Sequence, residues 1–197
     1  MDDKETLHRY LRTQRASLLS KLDGLDEYAI RRPMTSTGTN LLGLVKHVAS
    51  VELGYFGEVF GRPADRELPW FADDAEVNAD MWATPDETRE EIVALHPVSA
   101  THSDATIEAL PLDAVGDVPW WGDRSRVTLH QMLVHMCVET ARHAGHADIV
   151  RELIDGAVGG RPDDPNIPSI DWPAYRERLE SAARQVGPAV TREQPRS

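Results

Sequence analysis

The 197-residue chain carries 21 Lys and Arg against 33 Asp and Glu, and its formal charge of -12 repels phosphate backbones and anionic lipid surfaces, so neither nucleic acid nor membrane is an expected partner. An apolar share of 41% and a charged share of 27% fit one globular core, too polar for a membrane protein and too apolar for a disordered one. The lone Cys137 excludes an internal disulfide framework and a multi-cysteine zinc site, and the MDDKETLHRY start lacks the apolar run of an export signal, which together fit a cytoplasmic protein.

Leu7, Leu11, Leu18, Leu22 and Leu25 recur at helical steps and predict a first amphipathic helix from about Lys4 to Leu25, ended by Gly24. The densest basic stretch, Arg9 to Arg15, lies within it and is spaced like a solvated helix face. Pro33 and the small polar run from Thr35 to Thr39 read as a connection. Thr39 or Asn40 then caps a second helix, with Leu41, Leu44, Val45, Val48, Val51 and Tyr55 as apolar positions, running to about Phe60 before Gly61 and Pro63. From Arg62 to Thr84 no period persists, which predicts a long surface loop holding one short turn. A third helix is expected from the cap Thr84, with Pro85 in its first turn; Pro97 either kinks it near Leu95, the preferred reading, or splits it into two pieces reaching Leu110. Residues Pro111 to Val127 read as another loop with a short extended piece. Thr128 caps a fourth helix that Leu129, Met132, Leu133, Met136, Val150, Leu153 and Ile154 carry to about Gly156, where the GAVGG and RPDDP runs end it. A last helix spans about Trp172 to Val186, with a frayed tail beyond. The expected fold class is all-α: a four-helix bundle over residues 1–160, with a long loop after helix two, and a C-terminal extension over 161–197 whose one helix is accessory and packs on the same domain.

At about 100° per residue, His135, Glu139, Arg142, His143 and His146 share an arc of the fourth helix with Met132, Val150 and Leu153, which places polar groups inside an apolar stripe. A buried carboxylate and imidazoles are costly unless paired, hydrogen-bonded or bound to a metal. Glu139 and His143, four residues apart, can meet at one ion, and His47 between Leu44 and Val51 on helix two supplies a third ligand. Two imidazoles and one carboxylate leave a coordination position for water or substrate. The same spacing also fits a surface ion pair or a core hydrogen bond. His135 and His146 are read as core histidines hydrogen-bonded to neighbours or, with Arg142, as groups that orient the ligands or relay protons, Trp120 and Trp121 as pocket lining or core plugs, and Cys137, turned about 160° from Glu139, as packing.

The stretches ETARHAGHAD and IVRELIDG, the preceding TLHQMLVHM, and LLGLVKHVASVELGYFGEVFG resemble the DinB-like metal-binding bundles, notably their mycothiol-transferase branch, over about residues 7 to 157. The resemblance implies metal ligands at His47, Glu139 and His143. Many members have histidine where this chain has Glu139, and the carboxylate resembles the mycothiol-dependent maleylpyruvate isomerase pattern. Zinc is the expected divalent metal; a carboxylate makes the site harder and more tolerant of nickel or manganese. The implied activity is that of a metal-dependent thiol S-transferase or thiol-dependent isomerase, with mycothiol or a similar small thiol as cosubstrate and a small-molecule electrophile as partner. Two rivals are a noncatalytic metal-binding or stress-associated bundle, and a structural bundle whose polar face is a homodimer seam or a satisfied hydrogen-bond network.

Overall fold

A computed structural model describes residues 2–160 and 166–187, which fall into two compact units, 1–165 and 166–197. The first unit is an all-α helical bundle with one small β-ribbon. Helix α1 (Asp3–Ser20) is capped by Asp2, which accepts from the Glu5 amide. It stops a turn short of the expected Leu25. Residues 21–25 tighten into i to i+3 hydrogen bonds that keep Leu22 in the core. The connection expected after it holds a short helix, α2 (Glu27–Arg31), which Asp26 caps and which is too short to show a period.

Helix α3 (Leu41–Phe56) starts at Asn40, whose side chain accepts from the Gly43 amide, and is buried on nearly every side. It ends before Phe60 because the chain narrows at Gly57 into a 3-10 turn, Glu58–Phe60. The long segment that follows carries two further 3-10 turns, Pro69–Phe71 and Ala79–Met81, where one was expected.

Helix α4 (Arg89–Ala109) is capped by Thr88, one helical turn beyond the expected cap Thr84. Thr84 and Glu87 close a turn of their own, and Thr88 with Glu91 forms a reciprocal capping box that defines the helix start. Pro97 lies inside one continuous helix. Strands β1 (Val115–Asp117) and β2 (Arg126–Thr128) pair antiparallel, Gly116 opposite Val127, around a turn holding Trp120 and Trp121. The ribbon delivers the chain to Thr128, which caps helix α5 (Leu129–Asp155); Gly156, at φ 79°, supplies the left-handed residue that closes it.

Helix α3 packs on α4 and α5, while α1 packs on α5 and, more lightly, on α4. Three core clusters result. One joins Leu18, Leu22 and Ile30 to Leu44, Val48, Ala144 and Val150; a second joins Leu11 and Phe56 to Ile107, Leu129, Met132 and Met136; a small third joins Ala49 and Leu53 to Leu95. Arg15 does not lie on a solvated face: only 3% exposed, it meets Glu52 of α3 at 2.6 Å and Asp104 of α4 at 2.6 Å, and His8 reaches Asp104 at 2.7 Å.

In the second unit, helix α6 (Trp172–Val186) is capped by Asp171, which accepts from Ala174, and Trp172 packs edge-on against Tyr175. The residues beyond 187, where fraying was expected, and the RPDDP run lie outside the described residues. Among the described residues no helix is long and apolar enough to cross a membrane.

Candidate metal centre

Along α5 two of the core clusters are separated by the stretch from Val138 to His143, and Glu139 and His143 occupy that gap. The buried positions of α5 include Leu129, Met132, Leu133, Met136, Thr140, His143, Ala147 and Val150. Their stripe is centred about 80° from Glu139 at the helical repeat, so the polar arc borders the apolar stripe rather than running through its middle. His143 is buried, His135 and Glu139 are half-buried, and Arg142 and His146 are exposed. Leu153, expected within the stripe, is 63% exposed.

Across the interface, α3 presents His47. His143 Nε2 lies 3.0 Å from Glu139 Oε1, and His47 Nε2 lies 3.5 Å from the same oxygen. One atom from each of the three residues lies within 4.8 Å of the others, and the imidazole rings meet edge-on with centroids 4.8 Å apart. Ligand atoms on a tetrahedral zinc ion, at about 2.0–2.1 Å each, stand about 3.3 Å apart, so the two separations to Glu139 already match that spacing. The donor set of two imidazoles and one carboxylate fits a borderline divalent ion.

A residue that sequence reasoning missed orients the site. His47 Nδ1 donates to Asp80 Oδ2 at 2.6 Å, which turns Nε2 toward Glu139. Asp80 belongs to the turn Ala79–Met81, and α3 grips that turn at several points. Buried Lys46 donates to Ala79 O at 2.8 Å and Trp82 O at 3.0 Å, pairs with Glu87 at 2.6 Å, and sits 4.2 Å from the centroid of the Trp70 ring. Asn40 Nδ2 donates to Met81 O at 3.1 Å. At Gly43 the loop backbone comes so near that a Cβ would lie 1.8 Å from Met81 O. The one signal for this clamp in the sequence is a lysine inside the apolar run LLGLVKHVAS.

Each group in the cluster is tuned by burial and by its neighbours. Burial works against a charged His47, but hydrogen bonds and charge from Asp80 and then Glu139 prevail and raise its pKa. Burial likewise opposes the Glu139 carboxylate, and His143 and His47 overcome it, lowering the pKa. Burial lowers the His143 pKa, assisted by the His47 charge. Burial also lowers that of His135, against the pull of Glu139.

The other residues singled out in the sequence divide. The His135 ring is edge-on to Tyr55 and Trp121, with centroids 4.9 Å from each, and makes no hydrogen bond to the three clustered residues. His146 meets the His143 ring edge-on at 5.5 Å. Arg142 faces solvent and pairs with neither Glu139 nor Asp80. Trp120 is 55% exposed and lines a cavity of about 940 Å³, whereas Trp121 is half-buried and packs into the core cluster around Tyr55. Cys137 packs there too, its thiol donating to Leu7 O at 3.4 Å, and burial raises its pKa.

Fold and site together define a helical bundle with a His, Glu, His cluster at the edge of its core. The chain belongs to the mycothiol-S-transferase family, a DinB-like family, whose model matches residues 6–156. No curated protein matches the chain.

Proposed function

We propose that this protein is a metal-dependent thiol S-transferase, with His47, Glu139 and His143 holding one divalent ion and mycothiol or a similar small thiol as cosubstrate. The observation that carries the reading is the convergence of these three side chains, from two helices, inside the span of the family match. Zinc suits the donor set best, and nickel or manganese suit the carboxylate. A bound divalent ion would lower the pKa of a thiol that it coordinates. Asp80 holds His47 in the tautomer that faces the site, and Lys46 holds the turn that carries Asp80. The half-buried edges of His47 and Glu139 leave the cluster a side from which a small molecule can approach. In the transfer the thiol gives up its proton, sulfur forms a bond to carbon, and the leaving group departs with its electron pair. His135, one helical turn before Glu139 on α5, and His146, edge-on to His143, are the proposed acceptors of that proton. A small-thiol chemistry of this kind and the single half-buried cysteine suit the reducing cytoplasm.

The test is metal analysis of protein purified without chelators, beside His47→Ala and Glu139→Ala, followed by conjugation of mycothiol to an electrophilic fluorophore. The expected outcome is about one equivalent of metal in the wild type, little in either variant, and conjugation that tracks metal content. Metal-free wild-type protein would overturn the site. Bound metal with no conjugation above the uncatalysed rate, for mycothiol, bacillithiol and glutathione alike, would overturn the transferase.

A further inference from the structure

The cavity beside Trp120 is not used by the chemistry above. It lies between the C-terminal half of α3, the segment after it, and the Trp120 turn, and its volume of about 940 Å³ suits a small organic molecule. Two lining residues, Val51 and Gly54, follow His47 by four and seven positions and therefore share its face of α3, about 6 and 10 Å along the axis. Val51 thus brings one wall of the cavity to within a helical turn of His47 on that face.

The lining also states what kind of molecule fits. Tyr55, Leu68, Phe71 and Trp120 give aromatic and aliphatic walls. Trp120 stands tilted against Tyr55 at 5.5 Å and remains more than half exposed, a large ring left facing the cavity mouth. The hydroxyl of Ser50 has no proton to offer an occupant, since it donates to Lys46 O at 2.6 Å, and one of its lone pairs already accepts from Trp70 Nε1 at 2.9 Å. Glu58 and Glu67 outnumber Arg66 among the lining charges, which disfavours an anion. For the many hydroxyl groups of a polyhydroxylated thiol the side chains of this lining offer few partners, chiefly Glu58, Arg66 and Glu67, among walls that are otherwise aromatic and aliphatic. The space beside Gly54 is open: a Cβ there would find only Trp120, at 4.0 Å, so a methyl group fits and only a large side chain would fill it.

Resting on the transferase reading, we infer that this cavity binds the electrophile and that the electrophile is a molecule without negative charge, with an aromatic or similarly flat apolar body. Gly54 and Trp120 set its size.

The test compares wild type with Gly54→Ala, Gly54→Phe and Trp120→Ala, after checking each for native circular dichroism. Binding of the neutral fluorophore N-phenyl-1-naphthylamine is measured first, with His47→Ala included. Wild type, Gly54→Ala and His47→Ala should bind within about threefold of one another, and Gly54→Phe and Trp120→Ala roughly tenfold or more weakly. Where Gly54→Phe fails to fold, Trp120→Ala decides the matter, since its ring is largely exposed. The second measurement is the ratio of kcat/KM for a bimane electrophile to that for iodoacetamide, which should fall about tenfold in the two pocket variants. Absence of probe binding by wild type, or binding unaffected by both pocket variants, overturns the cavity site. An unchanged ratio overturns its role as the electrophile site. If probe binding behaves as expected but no protein conjugates any thiol, the transferase reading falls and with it the electrophile assignment, while the cavity stands as a small-molecule site.

Discussion

At the scale of single residues, the pair Asp80 and His47 decides how well the site is organised. An imidazole whose Nδ1 donates to a carboxylate at 2.6 Å has one tautomer and one ring orientation, and its Nε2 is a better donor to a cation. Asp80→Asn keeps the size of the side chain but removes the charge and allows the contact to be made through the amide. It should weaken metal binding about 10- to 100-fold, measured by competition with a chromogenic chelator, while leaving the circular dichroism spectrum unchanged. His47→Ala, which removes a ligand, should lose metal under conditions where Asp80→Asn retains some. Equal affinity in wild type and Asp80→Asn would show that the hydrogen bond does nothing for the metal.

At the scale of elements, the segment from 62 to 84 and helix α3 act as one unit. Gly43→Ala should favour the helix by about 1 kcal/mol on propensity alone, but its Cβ cannot coexist with Met81 O at 1.8 Å, so the turn must leave the helix surface. The expected result is faster proteolysis within residues 62–84 and metal retention reduced like that of Asp80→Asn; a variant as resistant and as well loaded as wild type would contradict the clamp. This coupling explains what the sequence could and could not reveal. Helices α3 and α5 are legible because their caps, Asn40 and Thr128, and their apolar periods are local, and Glu139 and His143 sit one turn apart. Asp80 is not legible, since it lies 33 residues from His47 in a segment without a period. The start of α4 is easily misplaced because Thr84 with Pro85 and Thr88 with Glu91 are both sound caps, and the reciprocal bonds at Thr88 outweigh a proline in a turn. The arc on α5 is right in direction but not in depth, because periodicity shows which residues share a face and not where the neighbouring helices end.

At the scale of the whole molecule, two polar devices tie the bundle together, and they respond to different conditions. An ion held by His47, Glu139 and His143 would cross-link α3 to α5, so it stabilises the fold by mass action: about 2.7 kcal/mol at a free concentration one hundred times Kd. Chelator should therefore lower Tm in wild type and leave His47→Ala unmoved, and identical shifts in both would mean that the chelator acts elsewhere. The second device is the Arg15, Glu52, Asp104 and His8 network joining α1, α3 and α4. Arg15→Met leaves the buried Glu52 carboxylate without its partner and should cost about 3–5 kcal/mol, whereas adding Glu52→Leu should recover most of that loss, as apolar replacement of buried ion pairs does. The network also carries a pH signature. Burial alone would raise the Asp104 carboxyl, but hydrogen bonds from Arg15 and His8 overcome it and hold the pKa below the ordinary carboxylate value. A carboxyl that is more acidic in the folded chain binds fewer protons there than when unfolded, so stability rises with pH across this range. Its contribution is complete above the unfolded pKa of about 3.9 and is lost as pH falls through the folded value. Asp104→Asn should thus be less stable than wild type near pH 7, with the difference shrinking as urea titrations are carried below about pH 4. A difference that stays constant down the acid limb would mean that Asp104 contributes packing rather than charge.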